Sequence, residues 1–331
     1  MITLPTITGR ISIGLVCMLL LSCDWGRNAG VERKTVKISV AAFELPITAK
    51  RYAELSSALE KEFQRFGYVA MTKLVLADSI SDLAALNIAE KIANDKPDVA
   101  IAWSTGMAIA FKKSGSQQTV FTSRADPLVH GLIENWRRPG GNLTGVFVGD
   151  FAHRKRLELL QLQITRPRRR IAVVADDPWI VDARQFDFLD GAARKFGVEL
   201  VYLTIEKARD MRTIVSPENQ FDGYYIPVSK ATVEFGEEIM NLIDRTGLPA
   251  ISCSRELFQF GGSSAYFFDE DLVDRQVAVL ARRVVMGEAA GEIAVELPAQ
   301  YKFGLRLSQQ TSSAKLESKR LLYLSELLQK Q

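Results

Sequence analysis

The sequence predicts an α/β protein built as two doubly wound, Rossmann-like lobes joined by crossover strands. From Thr35 onward, short β-rich apolar runs alternate with longer stretches whose apolar residues recur every three or four positions. That alternation is the pattern of βαβ units and a parallel sheet. It also restarts near residue 150, and the roughly 300 residues beyond the leader suffice for two domains of ordinary size.

Taken in order, 36–42 reads as the first strand. The segment 49–66 follows as a helix, with Tyr52, Leu55, Leu59, Phe63 and Phe66 on one face. The alternation continues through 71–76, 83–93, 99–103, 106–113 and 119–123, and a strand over 143–148 closes the first series. The second series opens with a helix over 153–163 and a strand over 171–175. A helix over 182–196 has Asp182 near its N-terminus, and 199–203, 223–226, 231–245 and 250–253 repeat the pattern. A strand over 264–268 and a helix over 270–286 end the regular part. The division expected from this order assigns 35–148 plus 264–292 to lobe 1 and 149–263 plus 293–331 to lobe 2.

The N-terminus addresses the compartment. Arg10 precedes an apolar run from Ile11 to Leu21, too short for a permanent membrane span and laid out as a secretory signal peptide. It ends in Leu20-Leu21-Ser22-Cys23, the arrangement of a lipobox, with a small residue before the cysteine that would take the diacylglycerol. The alternative is an ordinary signal peptide that contains a cysteine. On the lipoprotein reading, 1–22 is the signal, Cys23 carries the lipid anchor and 23–34, with Gly26, Asn28 and Gly30, is a flexible tether. Only Cys253 then remains in the folded body, which excludes an intramolecular disulfide. The expected location is the periplasmic side of the cell membrane.

Charge is nearly balanced, +3 on 42 basic and 39 acidic residues, so nothing points to a nucleic-acid partner. The densest basic run, Arg166-Pro167-Arg168-Arg169-Arg170, reads as a solvated loop before a strand. The sequence gives little support to an enzyme: His130 and His153 have no recognisable nucleophile beside them, and neither a phosphate-cradling loop nor GxGxxG follows the first strand. No cofactor and no metal site are expected.

In open parallel sheets, ligands sit beyond the carboxyl ends of strands. That rule nominates the loops containing Phe43 and Glu44; Ser104, Thr105 and Gly106; Ser123 and Asp126; Asp177 and Trp179; Ser229; and Glu256. Facing loops of two lobes make a cleft that can close on a small solute. Ser104 or Thr105 at a helix N-terminus could hold a carboxylate, or simply cap the helix. Asp126, Asp177 and Glu256 are the candidates for an ammonium partner, and Phe43, Trp179, Tyr224 and Tyr225 for aromatic walls. Tyr224, inside a strand, is better explained as core.

Specific residues then suggest a family. The block Pro97-Asp98-Val99-Ala100-Ile101-Ala102-Trp103-Ser104-Thr105, followed by Arg124-Ala125-Asp126-Pro127-Leu128-Val129-His130-Gly131-Leu132 and Arg138-Pro139-Gly140-Gly141-Asn142-Leu143-Thr144-Gly145-Val146, resembles the ABC transporter substrate-binding proteins of the tryptophan/tyrosine-binding type. Arg156-Leu157-Glu158-Leu159-Leu160, Gly247-Leu248-Pro249-Ala250-Ile251 and Val295-Glu296-Leu297-Pro298 keep the order. The chain departs at Gly106-Met107, where the family has proline, and at its C-terminus, a Leu-rich amphipathic stretch over 315–331. The resemblance implies the type I periplasmic binding fold and a monomeric receptor that closes on an amino-acid-like carboxylate, aromatic ones included. It also implies delivery of that solute to a permease in the inner membrane. A second reading shares the same cleft: a sensor that signals to a membrane protein without transporting. Asn142-Leu143-Thr144 matches a glycosylation sequon but is read as turn chemistry.

Overall fold

A computed structural model describes residues 34–306, apart from 46–47, 116, 150–151, 165–168, 186, 188 and 217–219. The expected leader 1–22, Cys23, nearly all of the tether 23–34 and the stretch 315–331 lie outside the described residues. Among those described, no helix is long and apolar enough to cross a membrane.

The first lobe is a five-stranded sheet in the order β2-β1-β3-β4-β5. Its strands are β1 (Thr35–Phe43), β2 (Val69–Ala77), β3 (Val99–Trp103), β4 (Thr119–Ser123) and β5 (Leu143–Phe147). All neighbours run parallel. Parallel strands covered on both faces read as unbroken apolar runs rather than alternation, and β3 has that form. Helices α1 (Thr48–Gln64) and α10 (Glu270–Val285) cover one face through Leu55, Leu59, Phe63, Val273, Val277 and Leu280. Helices α2 (Asp82–Asp95) and α3 (Thr105–Ser114) cover the other through Ala85, Ala89, Ile92, Met107 and Phe111.

The second lobe is a six-stranded sheet in the order β11-β10-β9-β8-β6-β7. It comprises β6 (Arg170–Ala175), β7 (Glu199–Thr204), β8 (Gly223–Ile226), β9 (Ala250–Ser252), β10 (Ser264–Phe268) and β11 (Tyr301–Leu305). Only β11 is antiparallel to its neighbour. On one face lie α4 (His153–Gln161), α5 (Asp177–Gln185) and α6 (Asp190–Phe196). On the other lie α7 (Lys230–Glu234), α8 (Gly236–Thr246) and α9 (Arg255–Phe260).

Two expected helices are each broken in two. The stretch 182–196 starts earlier, at Asp177, and is interrupted where Asp187 takes a left-handed φ of 52°. The stretch 231–245 divides at Phe235, whose φ of −117° and ψ of 22° cap one helix and start the next. The lobe boundaries also move. Strand 264–268, assigned by its order to lobe 1, is hydrogen-bonded between β9 and β11 in the second sheet, and only the helix that follows returns to lobe 1. Conversely, 293–297 stays with lobe 1: the Val295 and Glu296 N–H groups donate to Trp136 and Gly145. An apolar run is equally buried in either sheet, so periodicity alone could not decide its partner.

The turn over 138–142 has a structural purpose. Gly140 and Gly141 adopt φ of 74° and 62°, a region open to glycine at no steric cost. Gly140 N–H donates to Gly291, and buried Asn142 donates to the carbonyls of Phe111 and Gln117. Asn142 is therefore an internal strut, in agreement with its reading as turn chemistry.

Candidate functional site

The loops at the carboxyl ends of both sheets converge on a cleft of about 340 Å³, within the usual range for small-molecule sites. Lobe 1 contributes Arg124 and Asp126 after β4, Phe147, Val148 and Gly149 at the end of β5, and His130. Lobe 2 contributes His153 and Arg156 from α4, Trp179 from α5, Val228 after β8 and Cys253 after β9; Phe268 ends β10. Gly149 marks where the chain leaves the first sheet. A Cβ there would fall 2.1 Å from the Arg124 carbonyl and 2.0 Å from the Phe147 ring, so only glycine lets the crossover pass so close to both.

On the lobe 1 wall, Thr105 organises the β4 loop. Its hydroxyl lies 3.0 Å from Ser123 Oγ and accepts from the Arg124 and Ala125 N–H groups at 3.2 and 3.3 Å. Ser123 spends its own proton on the Ala125 carbonyl at 2.6 Å, so Thr105 is the donor between the two hydroxyls. One proton and both acceptor positions of Thr105 are thus engaged inside the protein. Ser104 caps α3, accepting from the Met107 N–H at 3.2 Å. Gly106 faces Phe43, whose ring would lie 3.3 Å from a Cβ, and it borders a separate groove between α2 and α3. The expected carboxylate site at Ser104-Thr105-Gly106 is therefore not part of the cleft lining; these residues hold the loop that is.

Asp126 reaches the cleft while also capping its own turn, with Oδ1 accepting from Leu128 and Val129 at 2.8 and 3.2 Å. The Arg124 guanidinium lies over the Phe268 ring at 5.6 Å. Of the other expected residues, Trp179 lines the cleft, whereas Phe43, Glu44, Ser123, Asp177, Ser229 and Glu256 do not. Glu44 is exposed, its N–H bonded to Ala77. Asp177 is exposed in the first turn of α5, its N–H taken by the Glu206 carboxylate at 2.8 Å. Ser229 is buried and caps α7. Glu256 is half-buried beside Arg255 on α9.

The lobe 2 wall holds groups the strand-end rule missed. His153 Nδ1 is 2.5 Å from the Tyr225 hydroxyl, which also meets Cys253 Sγ at 3.4 Å. The His153 ring meets Trp179 edge-on at 6.0 Å. Arg156 Nε donates to the Tyr266 carbonyl at 2.6 Å. Tyr225 is core, as its neighbour Tyr224 is, but its hydroxyl serves the cleft wall. His153 and Arg156 occupy one face of α4 three residues apart, the one signal in the sequence that could have nominated them together.

Beside the cleft, an ionic cluster joins the lobes. Arg51 on α1 pairs with Glu54, with Glu270 at 3.5 Å and with both Asp274 oxygens at 3.2 Å. Arg255 of lobe 2 reaches Glu270 at 3.0 Å. Burial pushes the Asp274 carboxyl up to about 7 against the pull of Arg51, and raises Glu270 likewise. Burial would make Arg51 less basic, but Asp274, Glu270 and Glu54 together hold it above its ordinary value. Among the described residues, no group of three or more His, Cys, Asp or Glu side chains is placed to hold a metal ion.

Two α/β lobes with a partly aromatic cleft between them have the architecture of the periplasmic binding class. Residues 53–315 match the profile of the family described as ABC transporter substrate binding protein. The chain belongs to that family, one of solute-binding proteins rather than of enzymes. It is 25% identical over 212 residues to a tyrosine-binding protein of Clostridioides difficile (strain R20291), covering 63% of this chain and 61% of the relative. The alignment thus spans less than two thirds of that relative's length. Among solved structures, a conserved domain protein from Vibrio cholerae O1 biovar El Tor superposes with a TM-score of 0.70 at 20% identity, covering 86% of this chain and 95% of that one. The ABC domain from Streptococcus pneumonia in complex with L-Trp does so at 0.68 and 13% identity, covering 86% and 94%. Both share the two-lobed fold.

Proposed function

We propose that the protein is an extracytoplasmic receptor that closes its lobes on a small amino-acid-like carboxylate, aromatic ones included, and presents it to an ABC permease. The observation that carries this reading is the composition of the interlobe cleft. Arg124 and Arg156 supply positive charge for a carboxylate, while Phe147, Trp179 and Phe268 supply aromatic surface. Asp126 is the acidic group for an ammonium. The tyrosine- and tryptophan-binding descriptions of two similar proteins support the same solute class. Arg124, Asp126, His153, Arg156 and Trp179 form the proposed contact set, with Ser104, Thr105 and Ser123 as its scaffold. The lipid anchor on Cys23 belongs to this reading too, holding the receptor beside its membrane partner.

A thermal-shift screen of the mature body against the amino acids and related acids tests the proposal. At one hundred times its Kd, a ligand should add about 2.7 kcal/mol of stability. L-tryptophan or L-tyrosine is expected to give the largest shift. No shift with any amino acid would overturn the assignment.

A further inference from the structure

The chain passes between the lobes twice at one place. Phe268 ends β10 in the second sheet and Glu270 opens α10 in the first lobe, so Asp269 alone makes the crossing. The return crossing lies alongside. Ala299 N–H donates to Gln276 of α10 at 3.2 Å, Tyr301 already belongs to β11, and Gln300 between them accepts from the Asp269 N–H at 2.8 Å. Crossings this short leave few backbone torsions to absorb a rotation of one lobe against the other.

Both acidic residues at this point hold a group from either lobe. Asp269 is buried; its Oδ1 caps α10 by accepting from the Asp271 N–H at 3.1 Å, and its Oδ2 pairs with Lys302 of β11 at 2.8 Å. Glu270 Oε2 stands 3.5 Å from Arg51 of α1 and 3.0 Å from Arg255 of α9. Each carboxylate therefore moves with lobe 1, anchored by the helix N-terminus or by Arg51, while its second partner moves with lobe 2. The two lobe 2 cations lie on one face of the second sheet. A Cβ on Gly304 would fall 2.6 Å from the Phe258 ring of α9, and Lys302, two residues earlier on β11, points the same way. A rotation that lifts lobe 1 from the α9 side lengthens both pairs together, and their attraction opposes it.

We infer that Asp269 and Glu270 form an ionic clasp at the hinge, whose pairs with Lys302 and Arg255 set the angle between the lobes before any solute binds. Such a clasp acts whatever the solute is, since all four side chains stand outside the cleft lining. It is also weak enough to yield. The carboxylates are 10% exposed, but Lys302 and Arg255 are 45% and 30% exposed, so water competes for them. A bound solute can therefore shift the angle that the clasp sets.

Pulsed electron paramagnetic resonance on the ligand-free chain tests the clasp. Nitroxides at Asn87→Cys on α2 and at Ala208→Cys after β7, exposed positions on different lobes, report the interlobe distance. The parent is a chain lacking the leader, with Cys23→Ser and Cys253→Ser. Arg255→Gln together with Lys302→Met removes both cations of lobe 2. The ratio of populated interlobe distances should then change by about 2- to 30-fold, the effect of losing two partly exposed pairs. Asp269→Asn keeps the helix cap without the charge and should reproduce the effect of Lys302→Met alone. Lys73→Met, which removes an exposed pair wholly within lobe 1, should leave the distances unchanged. If the double variant does not fold, Arg255→Gln and Lys302→Met are read singly, each with an effect of about 1.4- to 5-fold. Distances that change no more than in Lys73→Met would overturn the clasp and leave the receptor reading untouched. A wild type that binds no amino acid, but whose distances respond to the loss of both cations, would overturn the receptor reading alone.

Discussion

Asp274 shows how a single buried carboxyl, between α1 and α10 of lobe 1, ties stability to pH. It lies on α10 with a side chain 6% exposed, shared with Arg51, Glu270, Glu54 and Asp271. Its folded value, about 7, stands above the ordinary 3.8 because burial outweighs Arg51. The native state therefore holds a proton that the unfolded chain releases, so stability should decline as pH rises from about 4 to about 7. Glu270, raised for the same reason, acts in the same direction. Asp274→Asn should remove this contribution, because the amide keeps the shape without the titration. Urea unfolding of both proteins across that range measures it: the wild type should lose stability relative to the variant as pH rises, and parallel curves would refute the assignment. At this scale the strand-end rule reached two cleft residues and missed those on α4. Asp126 and Trp179 follow strand ends and were found in the cleft. His153 and Arg156 sit inside a regular helix, where cleft and core faces look alike until the helix is placed against its sheet.

Among the elements, α3 and the β4 loop behave as one unit joined at Thr105. Ser104 caps the helix, and Thr105 receives two loop N–H groups while donating to Ser123. Thr105→Ala would remove the acceptor of those N–H groups, one exposed and one part-buried, at a cost of about 0.5–1.5 kcal/mol. It would also release the loop bearing Arg124 and Asp126. Thr105→Ser keeps the hydroxyl and should restore both stability and affinity. Denaturant midpoints and ligand titration of the two variants check this; a Ser variant as impaired as Ala would mean that the threonine methyl, and not the hydroxyl, matters. The alternating elements themselves were readable because a buried parallel strand such as β3 is a short apolar run. The breaks were not. Thr232, Ile239, Met240 and Ile243 are all buried along α7 and α8, so their spacing continues across the interruption at Phe235. Nor could an apolar strand over 264–268 announce which sheet would take it.

Across the whole molecule, the cleft stands between lobes whose chain crosses after β5, after β10 and again before β11. Receptors with several crossovers move mainly by hinging, since the segments between sheets are short and the lobes have separate cores. Cys253 offers a direct measure of that motion. It is buried, 4% exposed, yet lines the cleft from lobe 2, and a Cys23→Ser chain lacking the leader would carry no other thiol. Reaction with a small maleimide should then report how often the cleft opens. At one hundred times its Kd a solute leaves about 1% of the protein free, so alkylation should slow by about 100-fold if the closed form is unreactive. The reagent should react fully after denaturation, which confirms the thiol is intact. Arg255→Ala breaks the 3.0 Å link from lobe 2 to Glu270 and should change the ligand-free rate without removing the protection. A solute that raises the Tm but leaves the alkylation rate unchanged would show that it binds outside the cleft, and the two-walled site would have to be given up.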